Sequence, residues 1–198
     1  MLDTLITSKT RIKLLLKFFL NSNSSSYLRG LESEFGESSN AIRLELNKFE
    51  KAGLLTTTTN GNKKMFKANT EHPLYKNIHD LIFTHIGFDQ IIDKVINRLG
   101  DIKLVFITGD FAKGKDSKII DLIFVGNTID REYLVRQTER AEEIIKRKIR
   151  FLVYKDDKYK EAISNYKNSE ILLLWNEKRL SERATERRGE EEADQVNG

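Results

Sequence analysis

Cysteine is absent from the 198-residue chain, and proline occurs once, at Pro73. Without cysteine the chain forms neither disulfides nor thiolate zinc sites, so we expect a protein of the reducing cytoplasm. No apolar run approaches the roughly 20 residues that a membrane-spanning helix requires, and we expect no membrane contact. Lys13 and Lys17 interrupt the apolar residues near the N-terminus. This segment is therefore interpreted as a first globular helix and not as a signal peptide.

Histidine is also scarce. The three histidines, His72, His79 and His85, stand seven and six positions apart. This spacing does not place them together as ligands of one ion. We therefore predict no metal site and no bound cofactor.

Charge is plentiful but unevenly distributed. Charged residues make up 32% of the chain and hydrophobic residues 39%, which is typical of a globular protein with a charge-rich surface. The formal net charge is +4, whereas residues 1–70 hold eleven lysines and arginines against six acids, an excess of five. Local positive charge of this kind binds DNA through counterion release. Nucleic acid is therefore the expected partner class.

Three apolar periodic segments predict helices in the first third of the chain. The first helix runs from Lys9 to about Leu20 behind a Ser8 cap. The second ends at Gly36, and the third ends before Gly53, since glycine favours the left-handed conformation that follows a helix. The third helix starts with a serine cap, at Ser38 or Ser39. The apolar stripes are Ile12, Leu15, Leu16 and Phe19; Leu28, Leu31 and Phe35; and Ile42, Leu46 and Phe49.

The third helix has a polar face of distinctive composition. Arginine matches the guanine edge, asparagine matches the adenine edge, and lysine is a mobile charge for phosphates. This pattern is typical of a recognition helix, predicted over Ser39 to Ala52. The candidate DNA-binding residues of this helix are Ser39, Asn40, Arg43, Asn47 and Lys51.

A basic β-hairpin follows this helix. Leu54 to Thr59 is rich in threonine, Asn60-Gly61 is a strong hairpin signal, and the chain returns over Lys63 to Ala68. The returning segment places positive charge where a wing would contact phosphates. The candidate phosphate-binding residues are Lys63, Lys64 and Lys67.

These segments resemble the ArsR/MarR-like winged helix-turn-helix regulators of bacteria. The resemblance rests on ESSNAIRLELNKFEKAGLL and on the wing NGNKKMFKAN. It implies a transcriptional regulator whose 1–72 domain binds double-stranded DNA. It also implies that the helices of residues 73–100 link the halves and form a homodimer interface. The alternative is a protein-interaction module whose polar helix face is simply solvated.

The second half has a different period. Short apolar runs at Leu104 to Thr108, Ile119 to Val125 and Arg150 to Tyr154 predict buried strands, and Asp130 to Lys148 predicts a charged helix. Ile171 to Trp175 fits either a strand or a short buried helix. Alternating strands and helices indicate an α/β layer over residues 101–176. The charged tail, 177–198, is expected to be disordered.

Residues 88–175 resemble the minimal nucleotidyltransferase fold of the DNA polymerase β superfamily. That family has Gly-Ser, a glycine-containing loop and then Asp-x-Asp on the next strand. Here Asp110 stands at the serine, Ile119 at the first aspartate and Asp121 at the second. No carboxylate stands on the strand Arg150 to Tyr154. Together, the two resemblances imply an α+β protein, with an N-terminal winged helix-turn-helix and an α/β nucleotidyltransferase-like domain containing a small mixed sheet.

The missing carboxylates argue against catalysis. Nucleotidyl transfer uses two magnesium ions, which one aspartate does not hold, so we predict no catalytic residues. The glycines and lysines of the loop from Gly109 to Lys118 are a candidate anion site for a nucleotide or phosphorylated effector. A solvated loop on a packing or dimerisation domain is the bland alternative. Two other functions stay open: an active nucleotidyltransferase using Asp110 and Asp121, or an antitoxin-like scaffold. The candidate ligand-binding residues are Gly109, Asp110, Lys113, Gly114, Lys115 and Asp121.

Overall fold

A computed structural model describes residues 6–99 and 101–177 of the chain. Gly100 and the charged tail beyond Glu177, which was expected to be disordered, lie outside the described residues. The described chain is α+β and holds two small sheets, as the sequence predicted.

The N-terminal part combines helices with a three-stranded antiparallel sheet of order β1-β3-β2. We call this part, residues 6–72, the winged unit. Its helices are α1 (Lys9–Leu15, continued by a π-helix, Leu16–Leu20), α2 (Leu28–Phe35) and α3 (Ser39–Lys51). Its strands are β1 (Ser25–Tyr27), β2 (Leu55–Asn60) and β3 (Lys63–Ala68).

The predicted helix caps are confirmed. Ser8 Oγ accepts a hydrogen bond from the Arg11 N–H at 3.2 Å, and Ser38 Oγ accepts one from the Ala41 N–H at 3.2 Å. Gly36 ends α2 with a φ of 64°. These three positions satisfy backbone groups that the helix ends leave without intrahelical partners.

Two local features of the winged sheet differ from the sequence prediction. Asn60 pairs with Lys63, so the two-residue turn is Gly61-Asn62 and not Asn60-Gly61. Gly61 has a φ of 56°, and glycine at the first central position is the pattern of a type II′ turn. Strand β1 was not predicted, because three residues are too few to reveal an alternating pattern.

The first helix does not remain α-helical over the whole of its predicted length. The α-helical pattern ends at Leu15 and a π-helix follows, in which all five residues are buried, including Lys17. A helix buried on every side needs neighbours on every side. Here the winged sheet packs on one part of its surface and the second half of the chain on another.

The second half forms a four-stranded mixed sheet of order β6-β5-β4-β7. Strands β5 and β6 are parallel, whereas β4 is antiparallel to both β5 and β7. The strands are β4 (Leu104–Thr108), β5 (Ile119–Val125), β6 (Lys148–Tyr154) and β7 (Leu172–Asn176). The helices are α4 (Tyr75–Ile86), α5 (Phe88–Lys94), a 3₁₀ turn (Ile96–Arg98), α6 (Gly109–Ala112), α7 (Arg131–Ile145) and α8 (Tyr159–Ser164).

The strand predictions for this half are confirmed, and two helices are shorter than predicted. The predicted Asp130–Lys148 helix stops at Ile145, because Lys146 adopts a left-handed φ of 56° and the chain then enters β6. The second of the helices predicted within residues 73–100 breaks at Val95. The undecided segment around Leu172 is a strand.

One continuous apolar core joins the winged unit to the mixed sheet. Helices α4 and α5 lie between them and bury Ile82, Ile86 and Ile91 within the chain. Their apolar stripes therefore serve intramolecular packing, although Leu74 remains 55% exposed. The homodimer interface assigned to these helices stays a prediction.

Candidate functional site

Helix α1 is joined to the helix-turn-helix by three ion pairs. Each uses a different cation of α1 and its π-helix, and a different acid of α2, the turn or α3. The hydrogen bonds from Arg11 are the largest influence holding the pKa of Glu45 below its usual range. Three acids of the helix-turn-helix are thus paired with cations of the first helix. The pairs are Arg11 Nε to Glu45 Oε2 at 2.8 Å, Lys13 Nζ to Glu37 Oε1 at 2.8 Å and Lys17 Nζ to Glu34 Oε1 at 3.0 Å.

The outer face of the winged unit carries cations that take part in none of these three ion pairs. Arg43 and Lys51 are exposed on α3, and Lys67 is exposed on β3. Within the described chain none of the three side chains has a hydrogen-bond or ion-pair partner. Asn40 and Asn47 are exposed on α3 as well, and Ser39, its first residue, is half-buried.

Leu44 completes this face and was missed by sequence reasoning. It is 52% exposed, although leucine is usually buried. At 100° per residue it lies roughly 40° from Asn40 and roughly 60° from Asn47 around the helix axis, so the three side chains share one side of α3. A helical projection of the sequence would have placed it there, but the apolar stripe of Ile42, Leu46 and Phe49 drew attention to the opposite face.

The hairpin lysines are divided between the two faces of β3, since side chains alternate along a strand. Lys63 and Lys67 share one face, and Lys63 Nζ lies 4.4 Å from the centroid of the Tyr27 ring. Lys64 lies on the other face, where its Nζ is bound by both carboxylate oxygens of Glu50 at 2.6 and 2.8 Å. The charge of Lys64 is therefore already compensated within the protein.

A second candidate site lies on the mixed sheet. Strand register places Thr108, Asp121 and Arg150 in one row across β4, β5 and β6. Arg150 donates to Asp121 from Nε at 2.7 Å and from Nη2 at 3.0 Å, and these bonds hold the pKa of Arg150 above its usual range. Gly109 packs beside this carboxylate, since a Cβ at its position would overlap Asp121 Oδ2.

This row borders a cleft of about 500 Å³. Ile123 and Leu152 give the cleft apolar surface, and Tyr166 lines another part of it. A second ion pair joins Lys113 Nζ to Glu170 Oε1 at 3.3 Å. The main-chain N–H of Lys167 is the largest influence that lowers the pKa of Glu170, followed by Lys113. With both ion pairs formed, the cleft is electrically balanced.

The structure brings only part of the predicted ligand set together. Gly109, Lys113 and Asp121 line the cleft, whereas Asp110, Gly114 and Lys115 do not belong to its lining. Asp110 is exposed at the start of α6. Gly114 is buried where a Cβ would lie 2.5 Å from the Cα of Lys17, so it forms a contact between the halves of the chain.

Arg150 also belongs to this site. The sequence did not indicate this role, since its strand stood out there only for lacking a carboxylate. It stands directly beside Asp121 on the parallel neighbour strand, a position that only the strand register reveals. Residues 6–99 and 101–177 contain no group of three histidine, cysteine, aspartate or glutamate side chains placed to hold a metal ion. In the same ranges no helix has the length and apolarity to cross a membrane.

Comparison with known proteins gives weak similarities. No family model matches the chain, and no curated protein matches it significantly. Among solved structures, reduced HlyU from Vibrio cholerae is 17% identical, with 42% of this chain and 82% of HlyU covered and a TM-score of 0.34. A toxin-antitoxin structure with AMP-PNP is 12% identical (57% and 99% covered, TM-score 0.35). A candidate nucleotidyltransferase from Sulfolobus solfataricus is 19% identical (48% and 84% covered, TM-score 0.32). Scores this low carry no argument about function.

Proposed function

We propose that the chain is a sequence-specific DNA-binding regulator that uses the winged unit to bind double-stranded DNA. The observation that supports this most is the sorting of charge within that unit. Its acids Glu34, Glu37 and Glu45 are paired with α1, whereas cations on α3 and the hairpin are exposed. Phosphates attract such a face, and their binding releases counterions.

In this proposal α3 enters the major groove. Arg43 donates to a guanine edge, and Asn40 or Asn47 bonds an adenine edge. Leu44, exposed beside Asn40 on the same side of the helix, packs against a thymine methyl group. Lys67 contacts the phosphate backbone, as a mobile charge beside the groove. A homodimer would present two such helices to a palindromic site.

The proposal is tested by selecting bound fragments from genomic DNA with the full chain. We expect enriched fragments to share a motif, and Arg43→Ala to relax the preference at one base pair of it, by about 1 to 3 kcal/mol. Lys76→Ala, which removes an exposed cation outside the winged unit, is the charge-matched control. Enrichment without a motif, or equal losses for Arg43→Ala and Lys76→Ala on every sequence, would contradict the assignment.

We also propose that the mixed-sheet cleft does not catalyse nucleotidyl transfer. This is supported by Asp121, whose two oxygens are engaged by Arg150 and are thereby withdrawn from metal binding. The cleft would instead serve effector binding or packing, with a nucleotide or phosphorylated compound as the candidate effector. Incubation with labelled nucleotides and Mg²⁺ or Mn²⁺ should label no product. Labelling that disappears in Asp121→Asn would overturn this part of the proposal.

A further inference from the structure

The segment after β4 is fastened to the winged unit by its main chain. Lys17 Nζ donates to the carbonyl of Lys113 at 2.8 Å, and Asn21 Nδ2 donates to the carbonyl of Ala112 at 2.8 Å. Gly114 lies against the backbone of Lys17, with no room for a side chain. Residues 112–114 therefore form a joint between the two halves of the chain.

The same segment forms a wall of the cleft. The side chain of Lys113 lines the cleft and pairs with Glu170. The main-chain carbonyl of Lys113 accepts the hydrogen bond from Lys17. One residue thus belongs to both the cleft and the joint. A displacement of the Lys113 main chain would therefore move both a wall of the cleft and the acceptor of the Lys17 ammonium.

Lys17 continues the connection into the helix-turn-helix. Its side chain is only 10% exposed, and its ammonium group donates to Glu34 Oε1 on α2 at 3.0 Å. A buried ammonium group is costly to leave without acceptors, so it holds both partners in place. Because α2 packs on α3, this ammonium group is linked to the proposed recognition helix through α2.

We propose that Lys17 couples the cleft to helices α2 and α3. The state of the Lys113–Glu170 ion pair would then set the stability and position of these two helices. A small anion that replaces Glu170 at Lys113 would act through this route. The consequence for DNA affinity rests on the proposed function, whereas the coupling itself does not. Lys17 is in this sense a positioning residue, since it contacts the cleft only through the main-chain carbonyl of Lys113.

The test breaks the ion pair at the cleft and observes the helices across the joint. Hydrogen exchange by mass spectrometry is measured on peptides covering residues 28–51 in the full-length Glu170→Gln variant. The matched control is Asp156→Asn, which removes the same charge from the Lys103–Asp156 pair, at similar exposure, in the same half of the chain. General loss of negative charge affects both variants equally.

We expect Glu170→Gln to speed amide exchange in α2 and α3 by about fivefold or more relative to Asp156→Asn. In a Lys17→Met background the two variants should behave alike, because the connection is cut. If Lys17→Met does not fold, Glu34→Gln replaces it, since this change weakens only the contact between Lys17 and α2. The loss of the effect in either background assigns the route to Lys17.

Equal exchange in Glu170→Gln and Asp156→Asn would overturn the coupling, as would a difference that persists unchanged without Lys17. DNA affinity, measured on fragments selected by the unaltered protein, should change in parallel with exchange. If the protein selects no DNA, the proposed function fails while the exchange result still decides the coupling. If DNA is bound and exchange is equal, the coupling fails while the DNA-binding function stands.

Discussion

At the residue scale, single positions decide whether the halves of this chain meet. Gly114 has a φ of 75° and abuts the main chain of Lys17, so it is constrained both by its conformation and by its neighbour. Gly36 has a similar φ of 64° but has open space around the position of a Cβ. Comparing substitutions at the two glycines therefore distinguishes the cost of backbone strain from the cost of contact between the halves.

Gly114→Ala should destabilise the protein more than Gly36→Ala does. Both substitutions incur roughly 1–2 kcal/mol for a side chain in the left-handed region. Gly114→Ala adds about 1–3 kcal/mol from overpacking against Lys17. Urea unfolding of both variants measures the difference, and equal losses would show that the joint yields without cost.

Glu45 should make the stability of the winged unit depend on pH. Its pKa is held below the ordinary value of 4.5, chiefly by the hydrogen bonds from Arg11. A carboxylate with a lowered folded-state pKa stabilises above its unfolded pKa, and this contribution is lost as pH falls through the folded value. Glu45→Gln should therefore lower the free energy of unfolding by about 1–3 kcal/mol at pH 7.

This difference between the unaltered protein and Glu45→Gln should shrink as the pH falls below 4.5. Unfolding in urea at a series of pH values measures it. A difference that is constant down to pH 3 would show that the carboxylate charge is not the source of the stabilisation.

At the element scale, β3 distributes its lysines so that they are not equivalent. Lys67 is exposed without a partner among the described residues, whereas Lys64 is bound by Glu50 of α3. The sequence alone treats these lysines as one basic wing. The alternation of a strand and the proximity of α3 divide them into a free charge and a structural one.

Lys67→Ala should weaken DNA binding on all sequences and lower the slope of log affinity against log salt by about one. Lys64→Ala should leave that slope nearly unchanged, because Glu50 already balances the Lys64 charge. Binding titrations at several salt concentrations distinguish the variants. A larger slope change for Lys64→Ala would mean that Glu50 releases Lys64 to the phosphates.

At the scale of the whole molecule, the apolar core runs without a break from α1 to the mixed sheet. The buried π-helix is shared between the halves, with Phe18 and Phe19 fully enclosed. Two units that share a core in this way lose stability together. Residues 6–99 and 101–177 therefore hold two sheets but one shared core.

Thermal unfolding of the full chain should show a single transition. Fluorescence of Trp175, the one tryptophan, reports on β7 of the second half, whereas far-ultraviolet circular dichroism reports on helices throughout the chain. The two signals should share one midpoint, as two-state unfolding requires. Separate midpoints would show that the halves unfold independently.

Local features of this protein were determined by its sequence alone. Ser8 and Ser38 cap helices, Gly36 ends one, and β4 has its predicted bounds, because these depend on neighbours a few positions away. The strand with Asp121 was likewise predicted, together with the loss of its companion carboxylates. Periodicity, capping and charge are properties of short stretches of chain.

Tertiary structure alone decided which charges are free and what the loop after β4 does. Arg150 meets Asp121 through parallel strand pairing 29 positions apart, and Lys17 reaches Lys113 across 96 positions. Such contacts depend on strand register and on the packing of the halves, which no local pattern encodes. Of the residues that suggest an anion loop in the sequence, Gly109 and Lys113 therefore line a balanced cleft and Gly114 belongs to the joint.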